Sequence, residues 1–158
     1  MKNTIIIKRN GLQQQIDLRN YYMGEAAKRK DLDAVTIQSG KDDEELLYMF
    51  IEKACNELVT AVALRFPYIS AVVGKEDIEI AFETDHDYPS HLLPLLQQAI
   101  GDSLVNETIT QWLLLRRPEM AQSYISLRAS LYNNVQHLFA KIYNSRKIRR
   151  RPTDLAGI

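Results

Sequence analysis

The chain has 158 residues, 46% of them hydrophobic and 25% charged, with a single cysteine. That length and balance fit one globular domain and exclude wholesale disorder. Twenty Lys and Arg offset twenty Asp and Glu, which excludes a globally basic nucleic-acid binder, and one cysteine excludes a disulfide framework or a cysteine-built zinc cluster.

The first segment reads as a β-hairpin over residues 1–17. Thr4-Ile5-Ile6-Ile7-Lys8 is rich in β-branched residues, Asn10-Gly11 is a strong two-residue turn signal, and Leu12, Gln14 and Ile16 share one face of a returning strand. A lone hairpin is marginal in water, so it must pack on the body or pair with a neighbour. Ile5, Ile6 and Ile7 are therefore the candidate self-association residues. The apolar run around them is too short for a signal peptide, and no stretch approaches the ~20 apolar residues of a spanning helix. The expectation is a cytoplasmic protein with no membrane association.

A first helix is predicted from Leu18 to Lys30, capped by Asp17, with Leu18, Tyr22 and Ala26 as a thin apolar stripe and Lys28, Arg29 and Lys30 at the negative end of its dipole. Val35-Thr36-Ile37 reads as a short strand and Ser39-Gly40 as a loop. The second helix is clearer. Asp42, Asp43, Glu44 and Glu45 fill its first turn. Leu47, Ile51, Ala54, Leu58, Ala61 and Val62 then recur at helical spacing until Pro67 forces a stop near Phe66.

In the β segment at 67–88, Ile78, Ile80 and Phe82 alternate with Asp77, Glu79 and Glu83, the pattern of a half-buried strand with one solvated face. Ile69 to Val73 can pair with it across Gly74. An antiparallel helix pair fills 89–145. Its first helix, about Ser90 to Leu115, carries Leu92, Leu95, Leu96, Ala99, Ile100, Leu104, Ile109, Trp112 and Leu113 as its core stripe. Its second, about Glu119 to Ser145, follows the Arg116-Arg117-Pro118 break and carries Met120, Tyr124, Leu127, Leu131, Val135, Leu138 and Ile142. The fold class is α+β: a mainly helical bundle of about four helices with an N-terminal β-hairpin and a short central β segment. Residues 1–145 form one globular domain and 146–158 a basic tail.

Signals for chemistry are few. No two of the six glycines lie close enough to build a phosphate-binding loop, and G-x-S-x-G and H-E-x-x-H are absent. The expectation is no enzyme, no cofactor and no metal. Asp85-His86-Asp87-Tyr88-Pro89-Ser90-His91 mixes metal-ligand types, and a metal-dependent enzyme would have to use it. Its spacing matches no established zinc pattern, so it reads as a strand-to-helix connection in which Asp87 or Ser90 helps to cap the helix. The acids at 42–45 read as dipole compensation, and those at 77, 79 and 83 as a solvated sheet face or, alternatively, a surface for a basic partner. Cys55 reads as a buried structural thiol, His137 as a surface or part-buried residue, and Trp112 as core.

The strongest local anomaly is Arg146, Lys147, Arg149, Arg150 and Arg151, five of the twenty basic residues in six positions. Without them fifteen basic face twenty acidic residues, a body of about −5 with a +5 tail. Such asymmetry points to an anion, either nucleic-acid phosphate contacted without sequence preference or an acidic surface on a neighbour. A solvated helix end is the plainer alternative.

The acidic start Asp42-Asp43-Glu44-Glu45-Leu46-Leu47, the helix running on to Phe66, the long helix with Trp112 and the closing Tyr143-Asn144-Ser145-Arg146 resemble the layout of small head–tail connector, or neck adaptor, proteins of tailed bacteriophages and prophages. The Ile78-Glu79-Ile80 strand and the Arg-Arg-Arg-Pro end are also similar to small structural proteins of phage-like elements. The resemblance spans about residues 42–152. It implies a non-enzymatic virion protein that assembles into a homo-oligomeric ring between portal and tail proteins, with DNA passing through and possible non-specific DNA contact. It also implies a location in the bacterial cytoplasm and then in the virion. Connectors of this kind are often shorter and almost wholly helical, so the two β segments are a departure. The alternative is a nucleic-acid-binding accessory protein of a mobile element that acts through the basic tail.

Overall fold

The computed structural model describes residues 2–29, 37–66, 68–84 and 90–143. Strand β1 (Lys2–Lys8) leads directly into helix α1 (Arg9–Lys28). Helix α2 (Glu44–Ala63) follows a single 3-10 turn at Lys41–Asp43. Strands β2 (Ser70–Val73) and β3 (Asp77–Glu83) come next, then helix α3 (Leu92–Arg116) and helix α4 (Gln122–Tyr143), separated by a 3-10 turn at Pro118–Met120. The fold is α+β and mainly helical, with four helices and one three-stranded antiparallel sheet among the described residues.

The N-terminal hairpin does not form. Residues 9–17, predicted as its turn and second strand, are the first half of α1. Leu12 and Ile16 fit a period of two and a period of 3.6 equally well. The longer buried series Leu12, Ile16, Asn20, Gly24 and Ala27 decides for the helix. Gly11 does not use its left-handed freedom, since no glycine among the described residues has positive φ. β1 finds its partner in β3 over all seven residues, Lys2 opposite Glu83 through Lys8 opposite Asp77. β2 flanks β3 on the other side, Ser70 opposite Ala81 through Val73 opposite Ile78. The sheet order β1-β3-β2 thus puts the most regularly alternating strand in the middle.

All four helices lie on one face of the sheet, and α3 is the axis of the core. It contacts α1, α2, α4 and β1, and residues 103–110 are buried on every side of the helix. Ion pairing and hydrogen bonding set the direction of α4 against it. Glu107 meets Arg128, and Asn106 Nδ2 donates to Tyr124 O at 3.0 Å. Leu95 and Gln98 lie near Leu138, so the two helices run antiparallel as predicted. Ile78, Ile80 and Phe82 enter the core from the sheet. Phe82 meets Phe139 edge-on at 5.4 Å, and Phe66 stacks on Tyr143 at 5.2 Å, which closes the end of the bundle where α4 terminates. Trp112 is buried, and its Nε1–H donates to Ile37 O at 2.6 Å, tying the segment between α1 and α2 to α3. Most of the predicted 35–37 strand lies outside the described residues.

Two helix faces differ from their expected stripes. On α1, Leu18, Tyr22 and Ala26 point outward, and the core is reached by the stripe beginning at Leu12. On α4, Leu127 is exposed, and the buried positions are Val135, Leu138, Phe139 and Ile142. Leu95 of α3 is also exposed.

Candidate interaction surface

The sheet has one covered and one open face. Opposite residues in antiparallel strands share a face, so Ile6, Glu79 and Val72 form one row on the open side and Thr4, Ala81 and Ser70 the next. Lys8 Nζ holds Asp77 Oδ1 at 2.7 Å at one end of that face. Ile6 is 47% and Val72 65% exposed, which leaves an apolar stripe interrupted only by Glu79. Of the three candidate self-association residues, Ile5 and Ile7 are buried against the helices and only Ile6 is displayed.

The two sheet edges are unequal. At β1, Gln97 Nε2 of α3 donates to Ile6 O at 3.2 Å, so a helix side chain occupies the middle of that edge. At β2, Tyr48 Oη donates to Val73 O at 3.2 Å and Gly74 O at 3.3 Å. The β2–β3 turn is pinned from the start of α1. Arg9 N–H donates to Glu76 O at 2.9 Å, Nη1 donates to Lys75 O at 2.7 Å, and the guanidinium lies 4.0 Å over the Tyr48 ring. Leaving β1, the chain therefore anchors itself to the far hairpin before turning into the helix.

A second apolar patch lies on α1. Leu18, Tyr21 and Tyr22 are all more than half exposed, and the two tyrosine rings meet edge-on at 5.8 Å. The residues are spaced i, i+3 and i+4, so they form one continuous outward face.

The polar interior is structural. Glu107, 4% exposed, accepts from Arg128 Nε at 2.7 Å, from Arg128 Nη2 at 3.0 Å and from Gln111 Nε2 at 3.1 Å. Asn20 Nδ2 donates to Ser39 Oγ at 3.0 Å, and Ser39 in turn donates to Asp17. Burial, partly offset by that hydrogen bond, pushes the Asp17 carboxyl above its usual range. Asp17 is thus a mid-helix residue of α1 and not its cap. Glu107 was missed in the sequence because on a helix buried all round it does not fall on an apolar face, and Asn20 because a polar residue on α1 reads as solvent-facing.

Burial pushes the Cys55 thiol up to about 11, as a structural cysteine requires. His137 is exposed. The predicted contact residues Arg146, Lys147, Arg149, Arg150 and Arg151 lie outside the described residues, as do residues 85–89 of the mixed polar segment. Ser90 contributes its carbonyl to Leu93 N–H at 3.1 Å, and among the described residues no side chain caps α3. Among the described residues no three His, Cys, Asp or Glu stand close enough to share a metal ion.

Among the described residues, two open clefts lie beside the sheet. One of about 510 Å³ lies between α1 and α3, lined by Leu12, Gln15, Pro94, Gln97 and Asp102. One of about 310 Å³ lies where β2 begins and β3 ends, lined by Tyr68, Ile69, Ser70, Phe82 and Glu83. No described helix is long and apolar enough to cross a membrane. Compared with protein-family models, curated proteins and solved structures, the chain matches none.

Proposed function

We propose that the protein is a non-enzymatic assembly protein, a head–tail connector or neck adaptor of a phage or prophage that self-associates into a ring. The observation that supports this reading is a pair of unlike apolar patches on different elements. One is Leu18, Tyr21 and Tyr22 on α1, and the other is Ile6 and Val72 on the open face of the sheet. Rings need head-to-tail contacts between two different surfaces, whereas one self-complementary surface gives a closed dimer. Aromatic and aliphatic side chains held on rigid elements are suited to the centre of such a contact. The basic run 146–151 adds electrostatic contact with an acidic neighbour or with DNA passing through the ring.

The test is a pair of variants and their mixture. Tyr21→Glu/Tyr22→Glu blocks one patch, and Ile6→Lys/Val72→Lys blocks the other. Each variant alone is expected to be monomeric in native mass spectrometry. Mixed, they retain one good junction between them and form a heterodimer that grows no further. Rings of unchanged size from both variants would overturn the reading.

A further inference from the structure

Asp102 stands apart from other carboxylates shielded by the fold. Asp43, Asp77 and Glu107 each hold a cation, Arg116 at 3.5 Å, Lys8 at 2.7 Å and Arg128 at 2.7 Å. Asp102 is part-buried in the middle of α3, and among the described residues it meets no cation and no hydrogen-bond donor. It also lies too far along the helix to compensate the positive end of the dipole.

A cleft opens on either side of this carboxylate. The cleft of about 510 Å³ between α1 and α3 and another of about 280 Å³ between α3 and α4 share Gln98 and Asp102. In both, Asp102 is the only charged residue in the lining. The helix surface that leads to it is also without charge. Pro94, Leu95, Gln97 and Gln98 are exposed, yet no Lys, Arg, Asp or Glu occurs from Leu92 to Gly101, although a solvated helix face is normally charged. Leu95, 52% exposed, lines the second cleft with Leu138.

Carboxamides supply most of the remaining polar lining: Gln15 and Gln97 in the first cleft, Asn134 in the second and Gln98 in both. Gln97 Nε2 donates to Ile6 O at 3.2 Å, which holds that side chain and leaves its carbonyl oxygen able to accept. A carboxamide carries the same donor and acceptor as a peptide unit. An anion would find no Lys, Arg or His in either cleft, whereas a shielded carboxylate without a partner calls for a cation. Of the two permanent cations a polypeptide offers, the guanidinium fits better. Its planar fork bonds a carboxylate through two parallel N–H groups, and it is less strongly hydrated than an ammonium. Successive side chains of an extended chain diverge, so two neighbours can enter the clefts on either side of Asp102.

We propose that these two clefts form one docking groove for an extended peptide of a partner protein. An arginine of the peptide pairs with Asp102, the carboxamides of Gln15, Gln97, Gln98 and Asn134 meet its backbone, and an apolar residue next to the arginine lies on Leu95 and Leu138. The groove is separate from the α1 and sheet patches, and the inference does not depend on the connector reading.

The probe is the capped peptide acetyl-Gly-Arg-Leu-Gly-amide, titrated into the full chain and followed by proton–nitrogen NMR, with the Ile80 amide in the sheet centre as control for the fold. Saturable shifts are expected at the Gln98 and Asp102 amides and at the side-chain carboxamides of Gln15, Gln97, Gln98 and Asn134. Replacing arginine by citrulline, its neutral isostere, should weaken binding about tenfold, and Asp102→Asn with the arginine peptide should do the same. The citrulline comparison needs no altered protein, so it stands even where the variant is poorly folded. No saturable shift up to about 20 mM peptide would overturn the inference, as would equal affinity for the citrulline peptide. A change of oligomeric state in Asp102→Asn without peptide binding to the parent would also overturn it, by assigning the groove to a second copy.

Discussion

The pairing of Glu107 with Arg128 predicts a measurable asymmetry between single and double substitution. In Arg128→Met the buried Glu107 carboxylate loses two charge-assisted hydrogen bonds of 2.7 and 3.0 Å and keeps only Gln111. Breaking a fully buried pair costs about 3–5 kcal/mol. The Arg128 side chain is 36% exposed, so water screens part of the interaction and can reach toward the vacated site; the expected loss falls to about 2 kcal/mol. For a chain of this length that corresponds to a fall of about 4–8 °C in Tm. Glu107→Met/Arg128→Met removes both charges and keeps apolar volume. It should return to within about 1 kcal/mol of the parent. Thermal and urea unfolding followed by circular dichroism at pH 7, at one protein concentration, measure all three proteins. A loss below about 0.5 kcal/mol in the single variant, or a double variant no more stable than the single, would refute the assignment of Glu107 as a buried charge that depends on its partner.

Two further predictions concern packing and the thiol. A Cβ on Gly24 would meet Gln38 Cγ at 2.6 Å, whereas one on Gly11 meets nothing within 4 Å. Gly24→Ala should therefore cost about 1 kcal/mol and Gly11→Ala should gain about 0.5–1 kcal/mol, as read from urea midpoints. Cys55 keeps its proton in the native state up to about pH 11 against 9.0 for an ordinary thiol. Iodoacetamide at pH 8 should modify it about a hundredfold more slowly in the native protein than in urea. Because the unfolded thiol releases its proton first, stability should also fall as pH rises from 9 toward 11, and Cys55→Ser should show less of that decline.

How far the sequence could be read depended on how many periods each pattern had in which to declare itself. The Asp77–Glu83 strand and the buried stripe of α2 are long, regular patterns, and the structure contains them almost residue for residue. β2 joined β3 across Gly74 as expected. The N-terminal hairpin failed because Asn10-Gly11 is a local signal. The competing contact, β1 with β3, joins residues 69 to 81 positions apart and is invisible to local reasoning. The faces of α1 were inverted for a related reason. Over the predicted span 18–30 its core side offers only Asn20, Gly24 and Ala27, whereas its solvent side carries Leu18 and two tyrosines. Hydrophobicity alone points the helix the wrong way when large apolar side chains stand on its exposed face. That inversion is also what brings out the α1 patch, which no motif announced. The basic run was legible as composition, but its place in the molecule lies beyond the described residues.

Self-association is the central claim, and light scattering coupled to size exclusion measures it most directly, at two protein concentrations and two salt levels. The account predicts one discrete large oligomer whose mass is a whole multiple of the chain. A monomer under all four conditions, and still a monomer when mixed with candidate portal and tail proteins, would contradict it.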